Sequence, residues 1–177
     1  FQSEPETGDV PLVCDASSCT EGLVKMLRES APQVRVIDAL TLIAERVLPG
    51  LADHPRLESL TLHPTCSSTQ LGLNDALLAI AREISDDVAV PLDWGCCAFA
   101  GDRGMLHPEL TASATADQAA QVRERDARAH ASCNRTCELA MTRATGKPYR
   151  HVIEILADLV PAAPNVRSDR PAPAGRT

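Results

Sequence analysis

Along the chain, short β-branched apolar runs alternate with amphipathic segments. That alternation predicts an α/β fold, a Rossmann-like, mostly parallel sheet flanked by helices. Strands are expected at 10–16, 33–39, 57–64, 86–92 and 129–132. Helices are expected at 20–30, 40–51, 69–84, about 108–127 and 135–146. Leu73, Leu77, Ile80 and Ile84 recur at helical spacing and mark a buried stripe on the third helix. The later run "YRHVIEILADLV" also reads as helical. Two strand-to-helix junctions, "DASSCTEGL" and "PTCSSTQLGL", share a signature: Ser18 with Glu21, and Ser67 with Gln70, fit the S-x-x-E/Q capping box. This predicts a duplicated β-α unit, with pseudo-halves about 10–56 and 57–160. Residues 1–9 read as an extension or linker, and the Pro-rich 161–177 as a disordered tail.

Composition narrows the partners. The 177 residues are one domain's worth, and 44% apolar content fills a core. A net charge of -7, no basic run and hardly any aromatic residues argue against nucleic acid. No apolar stretch is long enough to span a bilayer. The start at Phe1 leads to the expectation of a processed chain or a piece of a longer one.

The chemistry lies in the cysteines. They number seven, an odd and unevenly spaced set that does not form a secreted disulfide framework, so a reducing compartment is expected. In "DWGCCAFAGDRG" two of them are adjacent, and a disulfide between neighbours is sterically cramped. On the predicted strand pattern every thiol except Cys14 lies past the carboxyl end of a strand, where open α/β sheets bind ligands. Cys14 reads as a small core residue of its strand. If the fifth helix begins by Cys133, then Cys133 and Cys137 share its first turn, where the helix dipole favours thiolates. Cys66, Cys96, Cys97, Cys133 and Cys137 form the frame C-x29-C-C-x35-C-x3-C. Zinc prefers paired knuckles and four ligands. Iron–sulfur clusters accept several thiolates on more than one iron.

The frame "HPTCSS...WGCCAFAGDRGMLHPEL...SCNRTCE" resembles the cysteine-rich, or CCG, domain found in heterodisulfide reductases and in the iron-sulfur component of glycolate oxidase. From about Val10 to about Leu159 the chain is most similar to the C-terminal region of FAD-linked D-lactate or D-2-hydroxyacid dehydrogenases. The resemblance implies an oxidoreductase function: a [4Fe-4S] cluster, noncubane in heterodisulfide reductase, on Cys66, Cys96, Cys97, Cys133 and Cys137, with Cys19 an additional ligand or redox thiol. It also implies FAD on a separate portion or partner chain, other iron-sulfur domains and a respiratory or quinone acceptor as electron partners, and a cytoplasmic setting peripheral to the inner membrane. Ala98 stands where the family has its name-giving glycine, and Cys133 and Cys137 are separated by three residues instead of two.

Two other functions fit the thiols: a thiol-disulfide reductase acting through the vicinal pair, and a zinc-binding or metal-free docking module. Around the cysteines, His63 is a candidate for hydrogen bonding a sulfur. Arg103 and His107 are candidates for charge compensation or proton transfer, set against a loop salt bridge and a helix cap. Gly95, Gly101 and Gly104 are expected to permit tight turns. Nothing resembles a dinucleotide or phosphate fingerprint.

Overall fold

The computed structural model describes residues 10–161. The expectations for 1–9 and for 162–177 lie outside the described residues. The fold is α/β, with parallel strands flanked by helices.

Strands β1 (Leu12–Cys14) and β2 (Val36–Asp38) pair only with each other, in parallel, connected through helix α1 (Ser17–Ser30). After β2 the chain enters α2 (Ala39–Leu42). Asp38 caps this helix by accepting from the Leu40 amide and holds the Thr20 hydroxyl at 2.7 Å. The helical path continues through a π turn, Ile43–Val47, and a 3-10 turn, Leu48–Gly50, where Pro49 ends it.

The second unit is a four-stranded parallel sheet in the order β4-β3-β5-β6. It comprises β3 (Leu60–Leu62), β4 (Val88–Ala89), β5 (Ala129–Ser132) and β6 (Tyr149–His151). Helices α3 (Cys66–Gln70) and α4 (Asn74–Ile84) connect β3 to β4. Helices α5 (Arg103–Leu106), α6 (Pro108–Ala114) and α7 (Ala116–Arg125) precede β5. Helix α8 (Arg135–Thr145) lies between β5 and β6, and α9 (Val152–Leu159) follows β6. The main core forms where α4 and α9 meet over β3 and β5. Leu77, Ile80, Ala81 and Ile84 of α4 and Val152, Ile155 and Leu156 of α9 close over Leu60, Leu62 and Ala131. Burying each large side chain contributes roughly 1.5–3 kcal/mol, and the positions fall at helical spacing on both helices.

Several sequence expectations change. The strands belong to two sheets instead of one, because β1 and β2 pair only with each other. The predicted helix 69–84 breaks at Gly72, which takes a left-handed φ of +68°. The predicted 108–127 helix divides at Thr115, whose hydroxyl donates to the Thr111 carbonyl at 2.7 Å, and a turn of helix precedes it at α5. "YRH" opens as a strand because pairing with β5 captures it before α9 starts. Neither predicted capping box forms. The N-cap of α1 is Ala16, with no side-chain bond. The N-cap of α3 is Thr65, in a box with Ser68. The serines expected to cap instead cross-link the two units: Ser18 accepts from Asn134 Nδ2 at 2.9 Å, and Ser67 meets Ser17 at 2.7 Å. Helix α8 begins at Arg135, so Cys133 lies in the bend between β5 and α8 and only Cys137 lies in the first helical turn. Cys14 is half-buried, its thiol 3.6 Å from the Ala16 carbonyl, and Leu12 and Val13 beside it are substantially exposed.

Candidate metal centre

Four chain segments converge at the carboxyl edge of the second sheet. His63 and Cys66 follow β3, Cys96 and Cys97 lie in the loop after β4, Cys133 follows β5, and Cys137 opens α8. Cys97 Sγ and Cys137 Sγ are 3.2 Å apart. A ring nitrogen of His63 and these two sulfurs all lie within 4.8 Å of one another, and all three residues are buried. Cys66 and Cys96 form the exposed rim, while Cys97, Cys133 and Cys137 form the buried wall.

The loop geometry explains the adjacent thiols. Ala98 has a left-handed φ of +54°, a conformation that glycine adopts freely. The turn aims the Ala98 N–H at the Cys96 sulfur, 3.4 Å away. Such a backbone donor favours anionic sulfur. Phe99, fully buried, packs with Cys97, Cys137 and Ala140, and the Arg143 guanidinium lies 5.5 Å above its ring. Gly104 closes the loop by donating to the Phe99 carbonyl at 2.6 Å. A Cβ there would meet the Phe99 ring at 2.5 Å, so close approach is what requires glycine at Gly104. Gly101 is the loop glycine that uses a positive φ, +66°, and Gly95 needs neither device.

The electrostatics are uneven. A hydrogen bond with Cys137 outweighs burial and lowers the Cys97 thiol to about 5. That same bond, then burial and the nearby thiolates, drives Cys137 far up. Burial, then Cys96, raises Cys66. Burial also raises Cys133, against hydrogen bonds from Thr65, Ser68 and Ser17. Protein groups alone therefore ionise Cys97 readily and oppose ionisation of Cys66, Cys133 and Cys137. A multivalent cation removes that opposition, because each added thiolate then gains a positive partner.

Behind Cys133 lies a buried hydroxyl cluster. Ser17, Thr65 and Ser67 form a triangle with edges of 2.7–3.1 Å, and Cys133 Sγ is 3.7 Å from Thr65 and 4.0 Å from Ser17. Ser17 belongs to α1, so this cluster joins the first unit to the site. The sequence reading missed these hydroxyls, and the polar run "TCSST" beside a cysteine was their only signal. It also missed Gln118 of α7, buried, whose Oε1 lies 3.0 Å from His63 Nδ1.

Other candidates stay apart. Cys19 is exposed on α1, with no hydrogen bond to the other thiols among the described residues. Arg103 is exposed and unpaired among the described residues. His107 lies at the surface and pairs with Glu109 at 3.2 Å. The loop salt bridge is thus the outcome for His107; it makes no side-chain helix cap. No known family model matches the chain, and no curated protein matches it. No helix among the described residues is long and apolar enough to cross a membrane.

Proposed function

We propose that the chain is the iron–sulfur redox domain of a flavin-linked D-2-hydroxyacid dehydrogenase of the D-lactate type. The observation that supports this reading is convergence. Cys66, Cys96, Cys97, Cys133 and Cys137, the thiols that the CCG resemblance marks as ligands, gather from separate segments at one sheet edge. Their donor chemistry fits: soft sulfur, three of the five thiols buried, with the Ala98 amide aimed at the Cys96 sulfur. A [4Fe-4S] cluster, when bound, supplies a site that takes up and gives back electrons. The chain's residues do the rest. Cys97, Cys133 and Cys137 hold the buried side, the hydroxyls of Thr65 and Ser17 hydrogen-bond the Cys133 sulfur, and Cys66 and Cys96 leave an exposed edge for exchange with partners. Substrate oxidation belongs to a flavin portion elsewhere. The flavin part, other iron–sulfur domains and a quinone-type acceptor are the electron partners in this reading.

One observation favours a second reading, a single bound ion. A tetrahedral metal with bonds of about 2.3 Å spaces two sulfurs at about 3.8 Å. The 3.2 Å between Cys97 and Cys137, with His63 close by, is nearer to that than to ligands on separate irons.

Iron, sulfide and zinc content decide between the two, measured with visible and EPR spectra on anaerobically purified and reconstituted protein. About four irons and four sulfides per chain, lost in both Cys66→Ser and Cys97→Ser, support the cluster. One metal without sulfide, retained in Cys66→Ser and lost in Cys97→Ser, supports the single ion. Protein that binds neither after reconstitution overturns both.

A further inference from the structure

We propose that His63 is itself a metal ligand through Nε2, and that Gln118 fixes the tautomer that makes it one. The inference rests on the reading that this pocket holds metal, and it goes beyond a role for His63 as a hydrogen-bond donor to sulfur. His63 has no exposed surface. It follows the central strand β3, and its backbone N–H donates to the Ala131 carbonyl at 2.9 Å, so its position is set by the sheet. The ring has little freedom either, because Nδ1 lies 3.0 Å from Gln118 Oε1. An amide oxygen only accepts, so Nδ1 carries the proton and Nε2 keeps a bare lone pair. That lone pair has no hydrogen-bond partner among the described residues. Nδ1 is engaged, so Nε2 is the nitrogen left to complete the close group with Cys97 and Cys137.

The arrangement is the one that metal-bound histidines use: one nitrogen on the ion, the other donating to a fixed oxygen that sets the ring's orientation and basicity. A nitrogen ligand among thiolates also lowers the total negative charge that the pocket must hold. If the Gln118 amide were turned the other way, its nitrogen would donate to Nδ1 and the ring proton would move to Nε2. His63 would then donate to a sulfur and bind no metal.

Two measurements on the full chain, made metal-free under anaerobic reducing conditions, test the inference. Long-range nitrogen–proton NMR of the zinc-loaded, 15N-labelled wild type reads the tautomer directly. The proposal requires a proton on Nδ1 of His63, and a proton on Nε2 overturns it. Cobalt(II) titration then reads the ligand set through tetrahedral and thiolate charge-transfer absorption. Gln118→Leu is expected to weaken cobalt binding 10–100-fold, with Gln118→Glu restoring it because a carboxylate also accepts from Nδ1. His63→Ala is expected to change both affinity and spectrum. Unchanged affinity and spectrum in His63→Ala overturn the ligand role while leaving a thiolate metal site intact. Wild-type protein that binds no cobalt, zinc or iron removes the metal reading itself.

Discussion

Gly104→Ala perturbs the centre without touching a ligand. The new Cβ would sit 2.5 Å from Cγ and Cδ2 of Phe99 and 2.8 Å from its Cα. Carbon atoms pack best at about 3.5–4.0 Å, so a shift of about 1 Å is needed. The ring cannot supply it alone, since Phe99 is fully buried and the contact to Cα is with backbone. Overpacking of this kind costs about 1–3 kcal/mol. For a chain of this size that lowers Tm by roughly 2–10 °C. The shift reaches the site, because the Gly104 amide is bonded to the Phe99 carbonyl at 2.6 Å and Phe99 packs with Cys97 and Cys137. Moving Phe99, two residues after Cys97, therefore disturbs the spacing of these two sulfurs. Metal sites tolerate ligand errors of about 0.2 Å, so a loss of metal affinity is expected along with the drop in Tm. The assay is thermal unfolding of metal-free protein by circular dichroism, with metal content after reconstitution. Gly95→Ala, in the same loop with nothing within 4 Å of its Cβ, is the control and should leave both unchanged. Wild-type Tm and metal content in Gly104→Ala, or equal losses in Gly95→Ala, would refute the argument.

Three further outcomes follow from the same geometry. Ala98→Gly relieves a left-handed alanine; relief of about 1–2 kcal/mol less the glycine entropy cost of about 0.5–1 kcal/mol leaves a gain of about 0–1.5 kcal/mol, read as a higher urea midpoint. Ultraviolet thiolate titration of metal-free protein should show one group ionising near pH 5, absent in Cys97→Ser and shifted upward in Cys137→Ala, which removes the donor. With Cys97 lowered in the fold from 9.0 to about 5, its contribution to stability is fully present above pH 9 and is lost as pH falls through 5. Burial also lowers His130 and His151, and His151 Nδ1 must stay unprotonated to accept from the Ile153 amide. The unfolded chain therefore takes up protons below about pH 6.5 that the fold refuses, and the urea midpoint should be lower at pH 5.5 than at pH 7.5. Replacing His151 by Asn, which can still cap α9, should reduce that pH dependence.

The parts of the fold visible in the sequence are those whose signal is local. The 129–132 strand and the helix that Gly146 ends were readable because a short apolar alternation and a left-handed stop are written into adjacent residues. The β6 strand was not, because three residues joined directly to a helix carry no period, and only pairing with β5 makes them a strand. The serines misled for a related reason. Ser18 and Ser67 have the spacing of caps, but tertiary partners claim their hydroxyls. In the site, the gathering of Cys66, Cys96, Cys97, Cys133 and Cys137 followed from placing each past a strand end. The partner of His63 did not, since Gln118 is a polar residue on a polar helix until α7 packs it inward.

The hydroxyl cluster gives the first unit a reason to be present. Leu12 and Val13 of the two-stranded sheet are substantially exposed, and the first unit's apolar anchorage lies further on, in Leu40, buried in the main core with Ile43, Leu48 and Leu51 packed against it. The first unit's polar ties to the second run through the neighbourhood of the site: Ser17 to Thr65 and Ser67, and Ser18 to Asn134, the residue after Cys133. Of the hydroxyls that can donate to Cys133, Thr65 and Ser68 belong to the second unit, whereas Ser17 reaches it only while α1 is docked. If the site binds metal through the Cys133 thiolate, as proposed, docking of the first unit and metal binding by the second are linked, each raising the other's equilibrium by the same free energy. A metal held there would then tie the two sheets together.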